Sequence, residues 1–271
     1  PGKSRDVVWD WSPDGQAILG GAYPPGSSRR IIGLFPLAAT PNAERELRVI
    51  ASHPEQNLYQ SRYSPDGRWI GFVAAKAFDA GISTIYVIPS TGGEWTRITE
   101  GKFFDDKPRW SPDGRWIVYD SRDLGGPNIY KAPIDGGTPV KLLDRLSVAP
   151  AVSPDGKLIA CWLPKRERGD RDQLCIIPFE GGPPIKTLDL NIVAGSKPLR
   201  WASDGRSVYY VDARQGGANI WRLPIDGSPA QPVTDFKSEQ IWSFDVSRDG
   251  KQVVIARSTI NSDVVLITEV Q

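Results

Sequence analysis

Six imperfect copies of one five-residue corner run through the chain and decide what it can fold into. They are WSPDG at Trp11 to Gly15, YSPDG at Tyr63 to Gly67, WSPDG at Trp110 to Gly114, VSPDG at Val152 to Gly156, WASDG at Trp201 to Gly205 and VSRDG at Val246 to Gly250. Each reads as a β-hairpin corner. Pro presets φ at the first turn position, Asp bonds its own backbone, and Gly takes the φ > 0 position that a type I turn with a bulge requires. The Asp residues stand at 14, 66, 113, 155, 204 and 249, so the intervals are 52, 47, 42, 49 and 45 residues. Those periods lie in or a little above the range of a four-stranded propeller blade.

A second half recurs with the corner. Strands ending in Pro begin at Ile31, Thr84, Asn128, Gln173 and Asn219, and each is followed by a Gly turn and a short fourth strand. A unit is therefore strand a, corner, strand b, variable loop, strand c, Gly turn, strand d. Such a sheet cannot bury both faces alone, and units arranged radially supply neighbours and remove free edges. The expectation is an all-β fold: a six-bladed β-propeller, four antiparallel strands per blade, with the last blade incomplete. It is a single domain over 1–271, with blades at 6–52, 58–101, 105–144, 147–190, 196–236 and 240–270. Strand c of the last unit, Asp263 to Thr268, is followed by too few residues for a fourth strand, so either Pro1 to Arg5 closes that blade or a strand upstream is missing.

Composition narrows the rest. With 27 Gly, 24 Pro and no sustained helical periodicity, essentially no helix is expected. A formal charge of +1 offers no argument for nucleic-acid attraction. No apolar run approaches the roughly 18 residues of a membrane span. The chain has no Met, even at position 1, and reads as a mature or excised fragment.

Aligning the units exposes a cross-strand pair, the fifth residue of strand b against the residue three before the Pro of strand c. It reads Gly20/Gly33, Phe72/Tyr86, Tyr119/Tyr130, Cys161/Cys175, Tyr210/Trp221 and Ile255/Val265. Both members change size together, as two residues sharing a fixed volume must. Cys161 and Cys175 are thereby placed within reach of a disulfide, with two small buried thiols as the plainer reading.

The W-S-P-D-G corner, then I-Y, then P-x-D-G-G resembles the WD40-like PD40 propeller repeat of the TolB family, and the likeness covers Val7 to Val270. The resemblance implies a non-catalytic protein-, peptide- or ligand-binding module, the sensory or interaction part of a larger bacterial signalling or envelope protein linked to a kinase or a winged-helix regulator. It favours a periplasmic or extracytoplasmic location. Two alternatives stand beside it: the substrate-gating propeller of a prolyl oligopeptidase- or tricorn-like serine peptidase, and a metal-dependent propeller lactonase or lyase. No cofactor, nucleic-acid partner or membrane span is expected, and the chain is expected to be monomeric.

In an antiparallel blade the d–a connections and b–c loops share one face, where a repeat protein usually places its binding surface. The expected channel mouth comprises Asp6, Tyr59, Phe103, Phe104, Asp105, Asp106, Ser147, Lys197, Glu239 and Trp242. The run FFDD, Phe103 to Asp106, is its least expected item. It reads as a ligand contact, with a Phe stacking and an Asp holding a cation or amine, or as a Phe packed between blades with Asp residues capping turns. One step deeper the ring reads Asp10, Arg62, Arg109, Ala151, Arg200 and Asp245, whose charges are expected to pair between blades because lone buried Arg is costly. The b–c loops include Ser121 to Pro127 and Pro164 to Asp172, and the charged PKRERGDRD of the latter reads as a solvated tip. No metal is expected; were one held, Asp6, Asp105, Asp106 and Glu239 are the residues that could converge on it. The lone imidazole, His53, reads as a surface-loop residue, and no catalytic constellation is present.

Overall fold

Each corner folds by the chemistry its residues carry. In the first, Ser12 Oγ donates to Asp14 Oδ1 at 2.5 Å, the same oxygen accepts from Gln16 N at 3.0 Å, and Ala17 N donates to Ser12 Oγ at 2.9 Å. Gly15, at φ 70°, completes the turn with its N–H on Ser12 O. The Ser–Asp bond recurs at Ser64–Asp66, Ser111–Asp113, Ser153–Asp155 and Ser247–Asp249. At the fifth corner Ala202 stands where the others have Ser, and Asp204 accepts from Arg206 N and pairs with Arg222. The Ser hydrogen bonds hold the carboxyls of Asp14, Asp66, Asp155 and Asp249 below their ordinary range, Asp66 at about 2.

The computed structural model describes residues 7–37, 47–76, 81–164, 172–192, 198–213, 217–238, 240–247 and 249–258. The first sheet is β1 (Val7–Trp11), β2 (Ala17–Ala22), β3 (Ile31–Pro36) and β4 (Arg48–Ala51). The second is β5 (Asn57–Tyr63), β6 (Trp69–Ala75), β7 (Thr84–Pro89) and β8 (Thr96–Arg97). The third is β9 (Phe104–Trp110), β10 (Trp116–Asp123), β11 (Gly126–Pro133) and β12 (Val140–Lys141). The fourth is β13 (Val148–Val152), β14 (Leu158–Leu163), β15 (Asp172–Pro178) and β16 (Lys186–Ile192), and the fifth is β17 (Arg200–Trp201), β18 (Ser207–Asp212), β19 (Asn219–Pro224) and β20 (Gln231–Pro232). All five are antiparallel meanders in sequence order. Strands c end at Pro because its missing N–H cannot continue the ladder.

The expectation of six blades is corrected. The described residues build five four-stranded blades, and the sixth corner joins a two-stranded sheet, β21 (Gln240–Val246) and β22 (Val253–Ser258). The physical reason is that each corner specifies only the a–b hairpin, while a blade also needs strands c and d, so among the described residues six corners accompany five complete blades. Asp263 to Thr268 and Pro1 to Arg5 lie outside the described residues. The two-stranded sheet sits beside blade 1, where Ser243 Oγ donates to Val8 O at 2.7 Å. No helix occurs among the described residues.

Two contacts recur between neighbouring blades. A methyl group placed on Gly67 would lie 2.5 Å from Pro13 Cγ, and Gly114, Gly156 and Gly205 likewise face Pro65, Pro112 and Pro154 of the preceding corner. The positive φ of these glycines favours a residue without Cβ at all four, and at Gly67 the Pro13 ring also leaves no room for one. The Trp that opens a corner reaches back too: Trp110 Nε1 donates to Arg62 O at 3.0 Å and Trp201 Nε1 to Ala151 O at 2.9 Å.

Cross-strand register sets the packing. Gly20/Gly33, Phe72/Tyr86, Tyr119/Tyr130, Cys161/Cys175 and Tyr210/Trp221 each stand directly opposite one another, while Val265 lies outside the described residues. Cys161 and Cys175 are buried free thiols joined by a thiol–thiol hydrogen bond. The expected loop Ser121 to Pro127 is instead ladder, since β10 and β11 pair out to Asp123 and Gly126 and leave Leu124 and Gly125 at the tip.

Candidate functional site

Strand β9 separates the FFDD residues because successive side chains point to opposite faces. Phe103 lies just before it, 37% exposed, whereas Phe104 is buried under the Arg122 guanidinium, 4.9 Å from its ring. Asp105 is buried and bonded by the Ser121 and Thr99 hydroxyls; burial, which outweighs those bonds, raises its carboxyl above the usual range. Asp106 turns the other way, 3.2 Å from Lys107, which also pairs with Asp120 at 3.1 Å. Burial opposes the Lys107 charge, but Asp120 and Asp106 together raise its pKa. The two adjacent carboxylates therefore do not converge on one point, and among the described residues no group of three His, Cys, Asp or Glu could hold a metal.

Asp105 instead closes the floor of a cleft of about 520 Å³ between blades 2 and 3. Its apolar walls are Phe103, Tyr119, Leu124, Tyr130 and Pro139, and Glu100, Lys102, Asp123 and Lys141 stand around the rim. Tyr119 and Tyr130 stack with centroids 6.0 Å apart at 26°. The Tyr130 hydroxyl donates to Asp123, and burial together with that carboxylate pushes the phenol up to about 12. Glu100 and Lys102 satisfy each other at 2.5 Å. Leu124 is fully exposed at the hairpin tip, an apolar side chain in water beside an aromatic wall.

Blade 2 explains why this cleft is open. There Phe72 and Tyr86 stack with the same geometry, 6.0 Å and 25°. Trp95 covers that platform, 4.8 Å from Phe72 edge-on and 5.4 Å from Tyr86. His53 lies over Trp95 at 5.7 Å while its Nδ1 accepts from Glu55 N and Gln56 N, so it packs and shapes a turn. The Gly turns of the two blades match, Gly92 and Gly93 at φ 90° and 134° against Gly136 and Gly137 at 97° and 134°. Two residues beyond them, blade 2 has Trp95 and blade 3 has Pro139. The platform is repeated and its cover is not.

The other expected positions scatter. Asp6, Lys197 and Glu239 lie outside the described residues. Tyr59 is buried under the Arg30 guanidinium at 5.2 Å, and Ser147 is buried with its hydroxyl accepting from Ile129 N. Trp242 is 66% exposed on β21. Arg62 and Arg200 both reach Asp245, at 3.0 and 2.6 Å, across the innermost strands. Asp10 accepts from Tyr63 N at 2.7 Å, and burial with the nearby Asp245 charge raises its pKa to about 7. Sequence reasoning missed Tyr119, Tyr130, Leu124 and Pro139 as a site. The signal was available, since aligning the Gly turns sets Pro139 against Trp95.

Five meandering blades around a common axis, stitched corner to corner, define a β-propeller built from tight Asp-Gly repeats. Residues 3–162, more than half the chain, match the TolB beta propeller domain (PD40), and the chain belongs to that family. Among solved structures it resembles TolB from Acinetobacter baumannii, with a TM-score of 0.70 and 22% identity over 86% of this chain and 55% of that one. An uncharacterized protein of Agrobacterium fabrum is 26% identical over 85% of this chain and 74% of its own length. The uncharacterized peptidase YuxL of Bacillus subtilis is 36% identical over 45% of this chain, a stretch equal to 17% of that protein. The chain thus matches little more than half of TolB and a small part of YuxL.

Proposed function

We propose that this chain is a non-catalytic binding propeller, and that its contact point is the aromatic cleft of blade 3, which receives an aromatic side chain presented by a protein or peptide partner. One observation carries the reading: a stacked Tyr119–Tyr130 pair faces a cleft of about 520 Å³ where the equivalent pair in blade 2 lies under the chain's own indole. An indole is therefore the measure of what the geometry accommodates. Exposed Phe103 and Leu124 add apolar surface at the entrance, and aromatic anchors in such pockets dominate interface energies. The buried, hydrogen-bonded carboxyl of Asp105 at the floor suits an indole N–H or another donor.

The test is ligand-observed NMR and calorimetry with N-acetyl-tryptophanamide and a short Trp-containing peptide, against the same peptide with Ala. Saturable binding of the Trp forms, lost in Pro139→Trp, is expected. Absence of binding, or binding indifferent to Pro139→Trp, overturns the reading. A second reading, a substrate-gating propeller of a serine peptidase, has the 36% identity to YuxL in its favour. The gene's full coding sequence separates the two, because gating requires a hydrolase domain in the same protein.

A further inference from the structure

The innermost ring carries a charge imbalance that the aromatic cleft does not involve. Its six positions, Asp10, Arg62, Arg109, Ala151, Arg200 and Asp245, each immediately precede the residue that opens a corner, so all occupy one level of the channel. Asp245 is shared by Arg62 and Arg200, and the Arg200 guanidinium is completed by Leu199 O at 2.8 Å and Phe244 O at 3.1 Å. Arg109 has no such arrangement. Its Nε is buried without a hydrogen-bond partner, and among the described residues no carboxylate lies within ion-pairing distance of it. The Nε of Arg62 is likewise buried and unpartnered.

Three guanidiniums thus face two carboxylates, and the second carboxylate is not fully charged, because Asp10 titrates at about 7 beside Asp245. A buried guanidinium without a counter-charge is costly, and a native structure usually supplies one. In ring order, blade 4 follows Arg109 with Ala151, a methyl where the other five positions carry charge. Ala151 is buried in the core cluster of blades 4 and 5, so it brings no counter-charge to Arg109.

We propose that the channel binds a small oxyanion, of the carboxylate or phosphate type, held by the Arg109 fork with Arg62 beside it. The planar fork of Arg matches two oxygens of either group. The site is independent of the aromatic cleft and stands or falls separately.

Calorimetry and thermal unfolding with sodium acetate and with sodium phosphate, in a buffer of otherwise bulky anions, test it. Saturable binding and a raised melting temperature are expected with at least one of the two, and which one answers distinguishes a carboxylate from a phosphate ligand. Arg109→Gln is expected to weaken binding by about tenfold or more, the scale of a lost charged hydrogen bond. Ala151→Asp supplies an internal carboxylate and is expected to abolish the response while raising the anion-free melting temperature. Pro139→Trp should leave the response unchanged. An equal response in the native protein and Arg109→Gln would mean a general salt effect and overturn the site, as would no saturable binding of either anion.

Discussion

Blades 2 and 3 are built on the same frame and end differently. Both place two aromatic rings 6.0 Å apart on one face, and both follow them with matching Gly turns. In blade 2 the turn delivers Trp95 onto the rings; in blade 3 it delivers Pro139, Tyr119 stays buried and Tyr130 is left half-buried at the cleft wall. The difference teaches that one repeated frame can carry quite different side chains on the same turn. The aromatic pair is shared by these two blades, and the residue that follows the turn differs while the glycine backbone that presents it stays the same.

The comparison can be broken most forcefully in blade 2. Trp95→Ala should uncover Phe72 and Tyr86 and cost about 2–4 kcal/mol in urea unfolding, below the full cost of a buried Trp because Trp95 is only half-buried. The same variant should gain a second site for N-acetyl-tryptophanamide. If its calorimetric stoichiometry stays that of the native protein, the two platforms are not equivalent. Pro139→Trp is the converse and should add about 1–2 kcal/mol of stability through aromatic burial; a destabilised variant would mean that the cleft does not take an indole.

A smaller effect separates the floors. Strand register sets Asp105 of blade 3 against Leu58 of blade 2, since each lies six residues before its corner serine, Ser111 and Ser64. Burial raises the Asp105 carboxyl, so the folded state holds the proton more tightly than the unfolded chain. Stability from this group is greatest below the ordinary value of 3.8 and declines as pH rises through the folded value. Asp105→Asn should flatten that part of the stability–pH curve; an unchanged curve would show that Asp105 is not held protonated by its surroundings. Smallest of all, Tyr130→Phe keeps the platform but frees Asp123, at a cost of about 0.5–1.5 kcal/mol for one hydrogen bond. Burial opposes the Asp123 charge, yet the Tyr130 hydroxyl and Gly125 N hold its pKa below 3.8, so the stability it contributes is present above that pH and lost below it. In Tyr130→Phe the Asp123 pKa, followed by carboxyl NMR, should rise.

Much of the frame was legible because turns and strand partners are local. The Pro-Asp-Gly corners, the strands ending at Pro and the paired volumes of Phe72/Tyr86 and Tyr119/Tyr130 all follow from residues a short distance apart in sequence. The number of complete blades was not, since a corner announces two strands and is silent about the next two. FFDD read as one feature, yet pleating sends Asp105 to the cleft and Asp106 to Lys107. The inner ring was read as mutually paired, but the sequence holds three Arg against two Asp and could not say which guanidinium is left over. Geometry assigns that place to Arg109.

The contact of each corner proline with the glycine of the next corner has a consequence for how such a chain can lengthen. Every full copy brings both halves of the joint, a ring to offer forward and a bare Cα to receive from behind. Duplicating one unit inside the gene therefore inserts a part that already fits both neighbours, and deleting one leaves two ends that still match. Where Ser203 stands in for proline against Gly250, the joint between the fifth and sixth corners has no ring to offer.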